Sequence, residues 1–129
     1  MGSDELSLHN RQIVVDFYAA GVRGDLEAFM SYLADDFVLY EPPFLPYGGT
    51  YRGKQAMLEG FGKIGEYLDV SGLEVDHLVA DGEHVIGILR APDRATGELV
   101  LIAEESTLRD GRIVEMRVFF HEGRSLVTR

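Results

Sequence analysis

Residues 33–43 read Leu33-Ala-Asp-Asp-Phe-Val-Leu-Tyr-Glu41-Pro-Pro43, and the rest of the chain is arranged around this stretch. It begins at the end of an apolar helical stripe, turns at the two aspartates and continues as a short strand. The strand must end at Glu41, because proline cannot donate a ladder hydrogen bond and disfavours helix at the preceding residue. We therefore expect the Glu41 carboxylate near the mouth of a pocket.

Length, charge and composition restrict the class of protein. The 129 residues suffice for one domain with a single core. The formal net charge of -10 argues against nucleic acid and anionic membrane as partners, because both are polyanions. The chain contains no cysteine, which excludes disulfides and thiolate chemistry and is compatible with the reducing cytoplasm, where we expect the protein. No apolar run approaches membrane-spanning length.

The first half of the chain predicts three helices. Apolar residues spaced three or four apart indicate helices over Ser7 to Val22, directly after the N-cap Asp25, and after Gly53. The strand that ends at Glu41 separates the second helix from the third. A loop over residues 42–49, rich in proline and glycine, follows that strand, and we interpret its aromatic side chains as a lid or rim.

The second half of the chain predicts strands, because the apolar period changes to two from about residue 70. Asp110-Gly111 is the strongest hairpin signal and joins two long strands, Leu99 to Arg109 and Arg112 to His121. Helices first and an antiparallel meander after predict an α+β fold. We expect a cone-shaped, curved antiparallel sheet wrapped around three N-terminal helices, with a cavity open at one end.

A set of short motifs extends from the first helix to Phe120. Its members are Val15–Ala20, Gly24–Leu26, Leu33–Val38, Glu41–Pro42, Tyr51–Gly53 and Asp110–Phe120. In this combination the chain resembles the SnoaL-like, ketosteroid-isomerase-like branch of the nuclear transport factor 2-like superfamily. The resemblance implies a disordered N-terminus at 1–6, a domain at 7–122 and a C-terminal tail at 123–129. It implies no single activity, because this fold hosts isomerases, polyketide cyclases, epoxide hydrolases, dehydratases and non-catalytic binders.

The resemblance also implies site residues. Glu41 matches the isomerase's proton-shuttling aspartate, which likewise precedes a proline. Glu105 matches the aspartic acid that stays protonated in apolar surroundings and donates a hydrogen bond to the oxyanion. Phe17 stands where the family has its catalytic tyrosine, which argues against steroid isomerase activity. The supporting tyrosines of some members correspond to Leu33 and Phe61.

Residues adjacent to two of these positions are alternatives for the same roles. Tyr18 adjoins Phe17, but one step along a helix rotates a side chain by about 100°, so we do not expect Tyr18 to replace the missing phenol. On the strand Leu99 to Arg109, the face of Glu105 is expected to point inward. A slip of one residue would put Glu104 inward instead.

Each predicted carboxylate also has a simpler interpretation. A solvated rim position is the alternative for Glu41, and a surface ion pair with Arg117 or Arg109 is the alternative for Glu105. The four histidines lack the spacing of a metal site. Gly60–Gly65 matches the dinucleotide fingerprint, but no strand precedes it, so we expect neither a metal nor another cofactor.

We therefore predict a cofactor-independent protein that binds a small, largely apolar, carbonyl-bearing molecule. Proton transfer in isomerisation, cyclisation or dehydration is the expected chemistry, with Glu41 as general base and Glu105 as acid or hydrogen-bond donor. A non-catalytic binding or assembly module is the alternative. The predicted ligand-contacting residues are Phe17, Leu33, Tyr47, Tyr51, Phe61, Met116, Val118 and Phe120. We also expect a homodimer through the outer face of the sheet, on which we place Ile102, Leu108 and Phe119.

Overall fold

The computed structural model describes residues 2–127, which form four α-helices, six strands and a 3₁₀ turn at Val70–Gly72. The helices are α1 (Ser3–Val22), α2 (Leu26–Ser31), α3 (Gly53–Tyr67) and α4 (Arg124–Val127). The strands are β1 (Leu33–Glu41), β2 (Gly49–Arg52), β3 (Glu74–Asp81), β4 (His84–Pro92), β5 (Leu99–Arg109) and β6 (Arg112–Phe120). No helix in this range is long and apolar enough to cross a membrane.

The six strands form one curved sheet in the order β2-β1-β6-β5-β4-β3. Neighbouring strands are antiparallel except for β1 and β6, which are parallel. On one face of the sheet, α1 packs against β3 and β4, and α3 packs against β1 and β2. The predicted α+β fold is confirmed. The parallel pair is a feature that the sequence pattern did not reveal.

The helix α1 begins at Ser3, four residues earlier than predicted, so residues 3–6 are helical rather than disordered. Its first turns are tied to the turn between β3 and β4. The Asn10 side chain donates to the carbonyl of Gly82 at 2.9 Å, and the Ser7 hydroxyl accepts from the Gly82 amide at 2.7 Å. Long-range hydrogen bonds therefore order a segment whose local sequence carries little helical signal.

The C-terminal segment also has structure within the described range. The Leu126 side chain of α4 is buried, and the Ser125 hydroxyl donates to the Asp93 carboxylate at 2.8 Å. Asp93 directly follows β4 and is fully buried. The predicted tail at 123–129 is thus held against the domain as far as Val127. Met1 and residues 128–129 lie outside the described residues.

The strands β5 and β6 change register at a β-bulge. Leu108 pairs with Ile113, but Thr107 pairs with Glu115, which leaves Val114 as an extra residue. A bulge of this kind exchanges the two faces of one strand relative to its partner. As a result the even-numbered side chains of β5 lie on the inner face, where Ile102 and Leu108 are buried. The prediction that Ile102 and Leu108 lie on the outer face is therefore wrong.

Candidate active site

A cavity lies between the helices and the inner face of the sheet. The space open to the centre of a water molecule is about 80 Å³, several times the roughly 10–15 Å³ that one water requires. Its lining is apolar except for the carboxyl groups of Glu41 and Glu104 and the hydroxyls of Tyr18 and Tyr47. These four side chains come from α1, β1, β5 and the loop after β1, so the whole domain contributes to the polar part of the site.

Glu41 is the last residue of β1 and lies opposite Gly49 of β2. Only 7% of Glu41 is exposed, and its Oε1 atom has no hydrogen-bond partner among residues 2–127. Burial raises the pKa of Glu41 well above the ordinary glutamate value, and the negative charge of Glu104 raises it further. The environment of Glu41 therefore favours the protonated form.

Glu104 faces the cavity from β5 and accepts a hydrogen bond from the Tyr18 hydroxyl at 3.1 Å. Burial raises the pKa of Glu104 to about 7, although the donation from Tyr18 lowers it. The pKa of Tyr18 is raised by burial and by the charge of Glu104, so the phenol keeps its proton. The pair thus combines a neutral donor with a carboxyl group that titrates near neutral pH.

Gly87 makes the contact between Tyr18 and Glu104 possible. It pairs with Glu104 across β4 and β5. A Cβ atom at Gly87 would lie 2.9 Å from the Tyr18 hydroxyl oxygen and 3.1 Å from the Tyr18 ring. Real Cβ atoms essentially never make contacts shorter than 3.0 Å, so the missing side chain at Gly87 leaves the room that the phenol occupies.

Glu105 lies on the outer face of the sheet, so the prediction that it points into the pocket is wrong. Its carboxylate is 3.6 Å from His84 Nδ1, and its neighbours across the sheet are Ile86 and Arg117. The cause is the bulge at Val114. Counting back from the hairpin without a bulge would pair Glu105 with Met116, an inward residue, whereas Met116 in fact pairs with Ser106.

Most of the predicted ligand-contacting residues border the cavity, but two do not. Leu33 is fully buried in the core away from the cavity. The Tyr51 hydroxyl donates to the backbone carbonyl of Tyr47 at 2.5 Å, and its ring packs against Gly60. The predicted residues that do border the cavity are Phe17, Tyr47, Phe61, Met116, Val118 and Phe120.

Tyr18 borders the cavity, although the sequence-based prediction does not include it among the site residues. Phe17 stacks on Phe29 at 4.4 Å, while Tyr18 points towards β4 and β5. Both side chains are buried because α1 packs against α2 and also lies over the sheet. A rotation of 100° therefore moves a side chain from one buried contact to another instead of into solvent.

Comparison with known proteins agrees with this architecture. The family model for the SnoaL-like domain matches residues 14–116. A nuclear transport factor 2-like protein of Burkholderia thailandensis is 30% identical, with 98% of this chain and 95% of that chain covered and a TM-score of 0.76. The chain therefore belongs to the SnoaL-like family within the nuclear transport factor 2-like superfamily.

Two further solved structures share the fold at lower identity. Bal32a, from a soil-derived mobile gene cassette, is 21% identical with a TM-score of 0.81, and 91% of this chain and 92% of that chain are covered. TerC, co-crystallised with polyporic acid, is 21% identical with a TM-score of 0.77, and 94% of this chain and 99% of that chain are covered. None of the curated proteins matches the chain significantly.

Proposed function

We propose that the protein catalyses proton transfer on a small, largely apolar carbonyl compound without a cofactor. The observation that carries this proposal is the pair of carboxyl groups, Glu41 and Glu104, which face one apolar cavity from two different strands. Two carboxyl groups whose surroundings give them different proton affinities can divide the roles of acid and base. The resemblance to isomerases and cyclases supports the same reaction class.

The environment of each carboxyl group suggests which role it takes. Tyr18 donates to Glu104 and stabilises its carboxylate, whereas Glu41 has no such donor among the described residues. Glu104 therefore loses its proton first and serves as general base, and Glu41 serves as general acid. This proposal reverses the role that the resemblance implies for Glu41.

The reaction then follows from the two positions. Glu104 removes a proton from the carbon next to the carbonyl, and the electron pair moves towards the carbonyl oxygen. Glu41 donates its proton to that oxygen, which gives a neutral enol. Return of a proton from Glu104 to another carbon of the conjugated system completes an isomerisation, while Glu41 recovers its proton from the oxygen. The apolar walls exclude water, which strengthens the interactions of Glu104 and of Glu41 with the substrate.

The test uses phenylacetone in D₂O, where proton NMR follows the exchange of the protons next to the carbonyl. We expect the wild-type protein to accelerate exchange. Glu104→Gln should lower the exchange rate about 10²–10⁴-fold, which is the usual contribution of a general base. Glu41→Gln should retain more activity, because the amide still donates a hydrogen bond to the carbonyl oxygen. Glu105→Gln is the matched control on the outer face and should behave as wild type.

The pH dependence provides a second readout of the same experiment. The rate should rise as pH increases through about 7, where Glu104 loses its proton. It should fall once Glu41, whose pKa is raised by burial and by the charge of Glu104, loses its proton as well. Because the two groups interact, the apparent pKa of each limb of this bell-shaped profile describes the pair and not one residue alone. Wild-type protein that gives no exchange at any pH would contradict the proposal and favour the non-catalytic binding module.

We further propose that the protein forms a homodimer through the outer face of the sheet. Phe119 is 51% exposed there, and Ile86, Leu101, Leu99 and Val79 are exposed on the neighbouring strands. Apolar side chains that share one exposed face commonly mark an interaction surface. The sequence-based prediction names the same face of the sheet. Of the three residues that it places there, Ile102, Leu108 and Phe119, only Phe119 lies on that face.

A further inference from the structure

The charges around the cavity have one sign. Among residues 2–127 the cavity is lined by two carboxyl groups, Glu41 and Glu104, and by no lysine, arginine or histidine. Phosphate and carboxylate ligands are normally held by such cations or by helix N-termini. An anionic ligand would therefore meet only groups that are neutral or negative.

Glu41, which borders the same cavity, has an unfilled hydrogen-bond acceptor. Glu41 Oε1 has no partner among the described residues although Glu41 is more than nine-tenths buried. A buried acceptor without a donor is unfavourable, and native structures normally satisfy such atoms. A ligand that brings a hydrogen-bond donor to Glu41 would satisfy this atom.

Aromatic rings form part of the cavity wall. The ring centroids of Phe17 and Phe29 are 4.4 Å apart, and those of Phe29 and Phe61 are 4.6 Å apart. All three rings border the cavity. Rings arranged in this way give an apolar surface on which an aromatic ligand can pack.

We propose that the cavity selects small arylalkyl amines in their protonated form, whose ammonium group binds Glu104 and Glu41, and that it rejects carboxylates. The proposal rests on the cavity of the proposed function but not on catalysis. An ammonium group carries three N–H donors, so it can bind the Glu104 carboxylate and the unfilled oxygen of Glu41 together. The remainder of such a ligand would pack against the three phenylalanine rings.

Binding of an ammonium group should depend on the ionisation of Glu104. The titratable groups that border the cavity with Glu104 are Tyr18 from α1, Glu41 from β1 and Tyr47 from the loop after β1, while α3, β4 and β6 present apolar side chains or Gly87. The pKa of Glu104 is about 7. Affinity for an amine should therefore fall about tenfold from pH 8 to pH 6, because each pH unit below a pKa reduces the ionised fraction about tenfold.

The test compares benzylamine, benzyl alcohol and benzoate, which share one ring and differ in charge. Isothermal titration calorimetry of the wild-type protein at pH 8 should give the highest affinity for benzylamine, at least tenfold above benzyl alcohol, and no binding of benzoate. At pH 6 the affinity for benzylamine should be about tenfold lower, with that for benzyl alcohol unchanged. Benzoate that binds as tightly as benzylamine would overturn the proposal, and this comparison requires no variant.

Variants show whether the preference for benzylamine depends on Glu104. Glu104→Gln should abolish the preference for benzylamine over benzyl alcohol, and Glu105→Gln, with the same change one residue away on the outer face, should keep it. A Glu104→Gln protein that retains the full preference would overturn the proposal.

Proton exchange on phenylacetone is measured in a separate experiment. Exchange without amine preference contradicts this inference alone, and amine preference without exchange contradicts the proposed function alone.

Discussion

Glu104 is a buried carboxyl group that costs stability when it ionises. Its pKa in the folded protein is about 7, against 4.5 for an unperturbed glutamate. The folded state therefore binds this proton more tightly than the unfolded state does. Below about pH 4.5 Glu104 is neutral in both states, and the free energy of unfolding should decrease as pH rises from there to about 7.

The corresponding prediction is that Glu104→Gln stabilises the protein at high pH. The amide has nearly the same shape and can still accept from Tyr18, but it never ionises. We expect the variant to exceed wild type by up to about 3 kcal/mol in the free energy of unfolding at pH 8, and to equal it at pH 4. Urea denaturation at both pH values measures this difference.

The outer-face variant Glu105→Gln is the control for the stability experiment, and its difference from wild type should be small at both pH values. Equal stability of Glu104→Gln and wild type at pH 8 would contradict the raised pKa. A functional group whose replacement stabilises the fold is expected at sites where activity requires an unfavourable environment.

At the scale of single elements, β4 controls the position of Tyr18 through Gly87. We predict that Gly87→Ala displaces the phenol, because the new Cβ would lie 2.9 Å from its oxygen. Glu104 then loses the donation that lowers its pKa, so the rising limb of the exchange rate against pH should move to higher pH. Tyr18→Phe removes the same donor without adding an atom and should move the limb in the same direction.

The measurement is the rate profile of phenylacetone exchange for both variants, with circular dichroism to show that each is folded. A Gly87→Ala protein with the wild-type profile would show that Tyr18 does not depend on the space at Gly87. A purely structural role of Gly87 would lower stability without moving the limb of the profile.

The sequence predicts elements better than it predicts their faces. Apolar periods and the Asp110-Gly111 hairpin were sufficient for three helices, the long strands and the fold class, because these are local signals. The inward face of β5 depends on the bulge at Val114, which no turn residue marks. The apolar residues Ile102 and Leu108 are the signal in the sequence that the even-numbered face of β5 points inward. The sequence-based prediction places them on the outer surface instead.

At the scale of the whole molecule, we predict that Phe119→Glu converts the proposed homodimer into a monomer. The substitution places a charge in the middle of the exposed apolar face, and burying that charge against a second copy is unfavourable. Sedimentation velocity at micromolar concentration measures the change. Leu8→Glu is the control, because Leu8 is 69% exposed on α1, away from the sheet. Wild-type protein that sediments as a monomer would contradict the interface.

The parallel pairing of β1 with β6 has a consequence for how the chain folds. All of residues 42–111 separate the two strands, so a long loop must close before they meet, and contacts of high sequence separation slow folding. During synthesis β1 has only β2 as a partner until the ribosome releases β6. The strand that carries Glu41 therefore gains its second neighbour only when β6 has been made, and until then the chain has an open sheet edge that favours aggregation.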